Sequence, residues 1–195
     1  MKGYFKSIGA ACLGCIALWH ATDGGRAITA EGARRVAVAD HPKPVPAFVI
    51  ELMNGEVTPI TGQGPVLVEF IYTRCPTICQ TSGGDFAQLR DHLHAHDVNI
   101  PMYSISFDPV IDDLAALNNY ADLHNATGDP WMIARPMVQD LDHLLDVFDV
   151  TVIPDNWGGY EHNIAVLLIN KNGAFSGVFD TQAFDRITRA VRRAL

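Results

Sequence analysis

Basic side chains are scarce in this chain of 195 residues: 14 Lys and Arg stand against 22 Asp and Glu, a formal net charge of −8. A nucleic-acid surface needs clustered cations, so that class of partner is excluded at the outset. The one basic cluster beyond the N-terminus is Arg186, Arg189, Arg192 and Arg193. It closes an expected helix, where cations complement the dipole, and is given no function. Long apolar runs are also missing. The stretch from Ile8 to Trp19 is the N-terminal candidate, and it falls short of the roughly 20 residues that a spanning helix needs. Internal repeats and low-complexity tracts are absent. Cysteine is sparse, with four in the chain, of which Cys12 and Cys15 lie in that N-terminal stretch.

What is present is enough for one domain of ordinary size: 48% of the residues are apolar, so a full core forms without disulfide staples. Lys2 and Lys6, the apolar stretch and the small, polar run from Ala21 to Ala27 have the order of a secretory signal. Residues 1–30 therefore read as a signal peptide or an N-terminal membrane anchor. Either form places the rest of the chain outside the cytoplasm, in a periplasm or tethered to the membrane facing it. Neither Cys12 nor Cys15 has a convincing aliphatic residue three places before it, which disfavours lipid attachment. Residues 31–46 are charged and spaced by Pro42, Pro44 and Pro46, the composition of a flexible tether. The domain is expected over residues 47–195.

Within it, Phe48–Met53 and Glu56–Ile60 flank Asn54-Gly55, a strong hairpin signal. Val66 to Tyr72 is a buried central strand, and Phe86, Leu89 and Leu93 set a helix over Gly84 to His96. A strand from Ile100 to Phe107 and a helix from about Asp112 to His124 follow. After them come a short strand at Trp131–Ala134 and a helix from Gln139 to Phe148. Asn163–Ile169 is a strand that turns at Asn170–Gly173 into Ala174–Phe179, and a helix from Phe184 closes the chain. Alternating strands and helices, followed by a hairpin and a helix, give an α/β fold of the thioredoxin-like sandwich type. Its central mixed sheet is flanked by helices and preceded by a β-hairpin.

Chemistry concentrates where the central strand becomes a helix. Tyr72-Thr73-Arg74-Cys75-Pro76-Thr77-Ile78-Cys79 puts both remaining cysteines there, beside the positive end of a helix dipole that favours thiolate. A staple across three residues would constrain almost nothing, since stabilisation grows with loop length. The pair is therefore chemical. In an oxidising compartment it is held by a metal, kept reduced by a dedicated reductant, or closed as a disulfide. Three intervening residues leave room for a metal without forbidding disulfide closure. His162, in the loop Gly158-Gly159-Tyr160-Glu161-His162-Asn163 before the next apolar strand, is the candidate third ligand. The plainer alternative is a strand-edge histidine bonded to backbone. Two thiolates and an imidazole make a soft set suited to Cu(I) and acceptable to Cu(II), whereas zinc would want a fourth ligand.

These residues, together with Ser104-Ile105-Ser106-Phe107-Asp108-Pro109 and the Lys171-Asn172-Gly173 turn, resemble the Sco/SenC family of copper-binding assembly proteins. The resemblance runs from about Ala47 to Leu195. It implies a thioredoxin fold, one copper held by Cys75, Cys79 and His162, and delivery of copper or reducing equivalents to the binuclear copper centre of cytochrome c oxidase. The implied partners are a copper-accepting oxidase subunit and a thiol reductant. Two departures stand out: Gln80 where the family often has Pro, and Glu161 where it often has Asp. Asp108 and Glu161 are candidates to support the ligands from behind. The rival reading is an extracytoplasmic thiol–disulfide oxidoreductase or peroxidase-like enzyme, with Cys75 attacking and Cys79 resolving. His92, His94 and His96 end the first helix of the domain. They form a second metal site or, more plainly, a solvated helix end.

Overall fold

The computed structural model describes the backbone of residues 2–74, 78–156 and 158–195, and the side chains of 12–74, 82–156 and 158–195. In chain order the elements begin with α1 (Lys2–Ala21), α2 (Ala30–Asp40), β1 (Lys43–Pro44), β2 (Val49–Leu52) and β3 (Val57–Pro59). The central part holds β4 (Val66–Ile71), α3 (Ile78–Ala95), β5 (Met102–Ser106), α4 (Leu114–His124) and β6 (Trp131–Pro136). A short 3-10 turn leads into α5 (Leu141–Val147), followed by β7 (Val152–Pro154), β8 (Tyr160–His162), β9 (Val166–Ile169), β10 (Ala174–Phe179) and α6 (Phe184–Ala194).

Eight strands form one mixed sheet in the order β1-β10-β9-β4-β5-β6-β2-β3, while β7 and β8 pair apart from it. Strands β4, β5 and β6 run parallel, and β9 lies antiparallel to β4 on its other side. This is the expected thioredoxin-like sandwich. Every residue of β4 is buried, as a run with both faces covered requires. Side chains alternate across a strand, so Val68 and Phe70 join one core with Val38 of α2 and Leu144 of α5. Leu67 and Ile71 join the other, with Phe86, Leu117 and Ile187 from α3, α4 and α6. The Asn54-Gly55 hairpin forms as expected, with Gly55 at φ +83°, a conformation that glycine adopts without a Cβ clash.

Two expectations need correction. Residues 31–46 are not a structureless tether: most of them form α2 and β1. Thr29 caps α2 through Oγ1, which accepts from the Gly32 N–H at 2.9 Å. Val38 is fully buried, Arg34 donates to the Phe148 carbonyl at 2.6 Å, and Arg35 pairs with Asp180 at 2.9 Å. The prolines that suggested a linker begin only after the helix has ended, a common position for Pro. Helix α3 also starts six residues earlier than Gly84. Gly83-Gly84 looked like a boundary, but Gly83 lets α4 approach: a Cβ there would lie 2.5 Å from Tyr120 Oη and 2.7 Å from His124 Nε2. Among the described residues no helix is long and apolar enough to cross a membrane.

Substituting Val38→Asp should cost about 3 kcal/mol, because it buries an unpaired charge. A fall in the urea midpoint checks this, whereas a freely solvated segment would tolerate the change.

Candidate metal centre

Parallel strands β4 and β5 end side by side, with Ile71 opposite Ser106. The chain past β4 is pinned at once. The Asp112 carboxylate, with no exposed surface, accepts from the Thr73 N–H at 2.9 Å, Thr73 Oγ1 at 2.7 Å and Ser106 Oγ at 2.6 Å. One residue further on, Arg74 donates to Asp108 at 2.9 Å, and the Asp108 N–H donates to Ser106 Oγ at 3.0 Å. Asp108, expected to support the ligands, thus holds the residue that precedes Cys75. Cys75 itself lies outside the described residues. Cys79 belongs to the first turn of α3, and its side chain is not among those described.

His162 is not in a loop opening directly into β9. It ends β8, the second strand of the small β7–β8 hairpin, with Val152 opposite it. Packing of aromatic rings holds this hairpin against the ends of β4 and β5. Tyr72 lies 5.3 Å from both Phe107 and Tyr160, and the ring of His162 sits edge-on to Phe107 at 5.0 Å. The Tyr160 N–H also donates to Tyr72 Oη at 3.3 Å. The imidazole therefore stands one ring from Tyr72, which is three residues before Cys75. Both of its nitrogens are buried and have no hydrogen-bond partner among the described residues. Burial lowers its pKa to about 4, so the ring is neutral at physiological pH and its lone pair is available, as a metal ligand requires. A buried nitrogen left unpaired is costly, and a metal ion is one partner that would satisfy it. Glu161, one residue away on the strand, is exposed. Adjacent strand residues face opposite sides, so its carboxylate does not back the His162 ring.

Comparison with known proteins identifies the family of the chain. The sequence model of SCO1/SenC matches residues 54–195. The chain belongs to the SCO1/SenC family. No curated protein matches it, but solved structures do. A SCO1/SenC family lipoprotein from Bacillus anthracis str. Ames aligns with TM-score 0.72 at 18% identity, over 79% of this chain and 97% of its own. ScoI of Bradyrhizobium japonicum with copper bound aligns at 0.59 and 23% identity, over 76% and 97%. Yeast Sco1 with copper bound aligns at 0.65 and 18% identity, over 79% and 91%.

Elsewhere in this SCO1/SenC chain, the rings of His92 and His96 lie 4.2 Å apart, and His92 Nε2 is 3.5 Å from Asp185. His94 is exposed. Among the described residues no group of three His, Cys, Asp or Glu side chains is arranged to hold a metal, and α6 packs over this helix end. Two of the buried carboxylates that the sequence reading missed matter here. One is Asp112, which the sequence offered only as the start of a helix. The other is Glu69, a lone acid in an otherwise apolar strand. Its oxygens accept from Ser104 Oγ at 2.5 Å and Ser82 Oγ at 3.0 Å. The break in the apolar run was the available signal.

The pKa of His162 fixes a direction for acid sensitivity. The unfolded ring titrates near 6.5 and the folded one near 4, so the unfolded chain takes up the proton first. The His162 contribution is complete above pH 6.5 and is lost as pH falls toward 4, by about 3 kcal/mol in all. In metal-free protein His162→Phe should remove that component from urea denaturation curves recorded across this window. Asp112→Ala should cost about 2–4 kcal/mol, because three donors lose their acceptor, with its midpoint read in the same way.

Proposed function

We propose that this chain is an extracytoplasmic copper metallochaperone that binds one copper ion through Cys75, Cys79 and His162. It would pass the ion to a copper-accepting protein in the assembly of cytochrome c oxidase. The observation that carries this reading is the His162 imidazole: neutral, with both nitrogens buried and without a hydrogen-bond partner among the described residues, and packed beside the strand end that leads to the two cysteines. Membership of the SCO1/SenC family supports it, as do relatives solved with copper bound.

The donor set suits the cargo. Thiolates and imidazole are soft ligands that favour Cu(I) over harder cations, and three donors leave a position open for an incoming ligand. Release is then ligand exchange: a partner's donors replace those of this chain one at a time, and the freed thiolates take up protons. A disulfide-bearing oxidant that accepts two electrons and leaves as its own two thiols would close Cys75 and Cys79 to a disulfide and prevent recapture. The residues around the site serve that exchange by limiting motion. Asp112 and Asp108 fix Thr73 and Arg74, while Tyr72, Phe107 and Tyr160 fix the hairpin that carries His162. The N-terminal segment, with its two lysines and apolar stretch, directs the chain out of the cytoplasm and keeps it at the membrane or is cleaved.

Titration of the reduced protein with Cu(I) should show one equivalent bound. His162→Ala should weaken binding at least tenfold, and Cys75→Ser or Cys79→Ser should abolish it. Binding indifferent to His162, together with rapid reduction of disulfide substrates, would point instead to a thiol–disulfide oxidoreductase.

A further inference from the structure

Glu69 is a carboxylic acid at the centre of the sheet that the copper site as described does not use. It faces the core beneath α3, where its strand neighbours Leu67 and Ile71 are apolar and where only 1% of its surface is exposed. The surroundings are built for it. Ser104, its partner across the parallel pairing, donates to Oε1 and in turn accepts from Trp131 Nε1 at 2.9 Å. Ser82 donates to Oε2 from α3, three residues after Cys79 in the same helix. The next residue, Gly83, is pressed against Tyr120 and His124, so this part of α3 is fixed from two sides.

The acid has hydroxyl donors but no cation. No ion pair to Glu69 is present among the described residues. The charged group acting on it from α3 is another carboxylate, Asp85, which Thr181 and Gln182 hold at 2.6 Å and 3.2 Å. From the α4 side comes His124, whose pKa burial lowers, favouring the neutral ring. The Arg90 guanidinium lies over the Trp131 ring at 5.6 Å from its centroid. Burial therefore pushes the Glu69 carboxyl up to about 7, with Asp85 adding to the effect and the two serines opposing it.

We propose that Glu69, tied to α3 through Ser82, acts on the copper site by its charge: its protonated form favours retention of copper by the thiol pair and its ionised form favours release. The inference rests on Cys75 and Cys79 binding copper. Loading Cu(I) onto two thiols releases two protons and leaves the site with one net negative charge. An ionised Glu69 below the start of α3 repels that charge, whereas a neutral one does not, and the low-dielectric interior strengthens the difference. By linkage, copper loading raises the proton affinity of Glu69 by the same factor that ionisation lowers copper affinity.

The test is Cu(I) affinity of the reduced full-length protein, measured by competition with a chromophoric Cu(I) chelator from pH 6 to 8, for the parent and Glu69→Gln. The substitution keeps the shape and hydrogen-bonding capacity of the side chain while removing its ionisation. The two proteins should bind alike at pH 6, and the variant should bind on the order of tenfold more tightly at pH 8. Ser104→Ala removes the shortest hydrogen bond to the carboxylate and should shift the divergence in the parent background to higher pH. A purely packing role would change affinity equally at all pH values. Parallel profiles for parent and Glu69→Gln would overturn the inference while leaving copper binding intact. Binding unaffected by Cys75→Ser would instead overturn the functional reading on which it rests.

Discussion

The parallel pairing of β4 with β5, from Leu67 opposite Met102 to Ile71 opposite Ser106, is the constraint on which the candidate site depends. Parallel strands finish at the same edge, so the segment carrying the cysteines and the turn carrying Asp108 and Asp112 emerge together. Register is held from both faces because β4 is buried throughout. A slip of one residue would exchange the two cores and turn Glu69 away from Ser82. The position of the site is therefore a consequence of core packing, set before any ligand is considered.

Alternation along that strand divides the work around the cysteines. One side leads through Phe70 and Tyr72 to the aromatic group of Phe107 and Tyr160, and so to His162. The other leads through Glu69 and Ile71 to Thr73, which Asp112 holds. The imidazole is thus delivered on one face, and the polar anchors of the thiol-bearing segment on the other. His162 stands on a hairpin that shares no strand pairing with the main sheet, and aromatic contacts bind it there together with the hydrogen bond from Tyr160 to Tyr72.

Much of this was legible in the sequence. The apolar run of β4, the Asn54-Gly55 hairpin and the spacing of Phe86, Leu89 and Leu93 each report a local period, and local periods survive folding. His162 could be singled out because it stands between a Gly-Gly turn and an apolar strand. What was not legible depended on partners far along the chain. Residues 31–46 look like a linker until Val38 meets the core and Arg35 meets Asp180. Gly83 looks like a helix boundary until Tyr120 and His124 arrive against it. The three-residue strands β7 and β8 are too short to carry a period at all.

His162 and Glu69 also shape how the metal-free protein exchanges protons with water. His162 titrates at about 4 when folded and near 6.5 when unfolded, while Glu69 titrates at about 7 when folded and near 4.5 when unfolded. Between pH 4.5 and 6.5, unfolding thus makes His162 take up a proton and Glu69 give one away. The two transfers cancel, and this pair leaves stability level across the window. Below it the imidazole alone makes the fold acid-labile, and above it the carboxyl alone makes the fold lose stability up to about pH 7. Occupation of His162 by a metal would keep the folded ring neutral, as burial already does, so the balance between the two groups would persist. Unfolding of a loaded protein would in addition return protons to Cys75 and Cys79, so its stability would rise with pH where that of the metal-free protein is level.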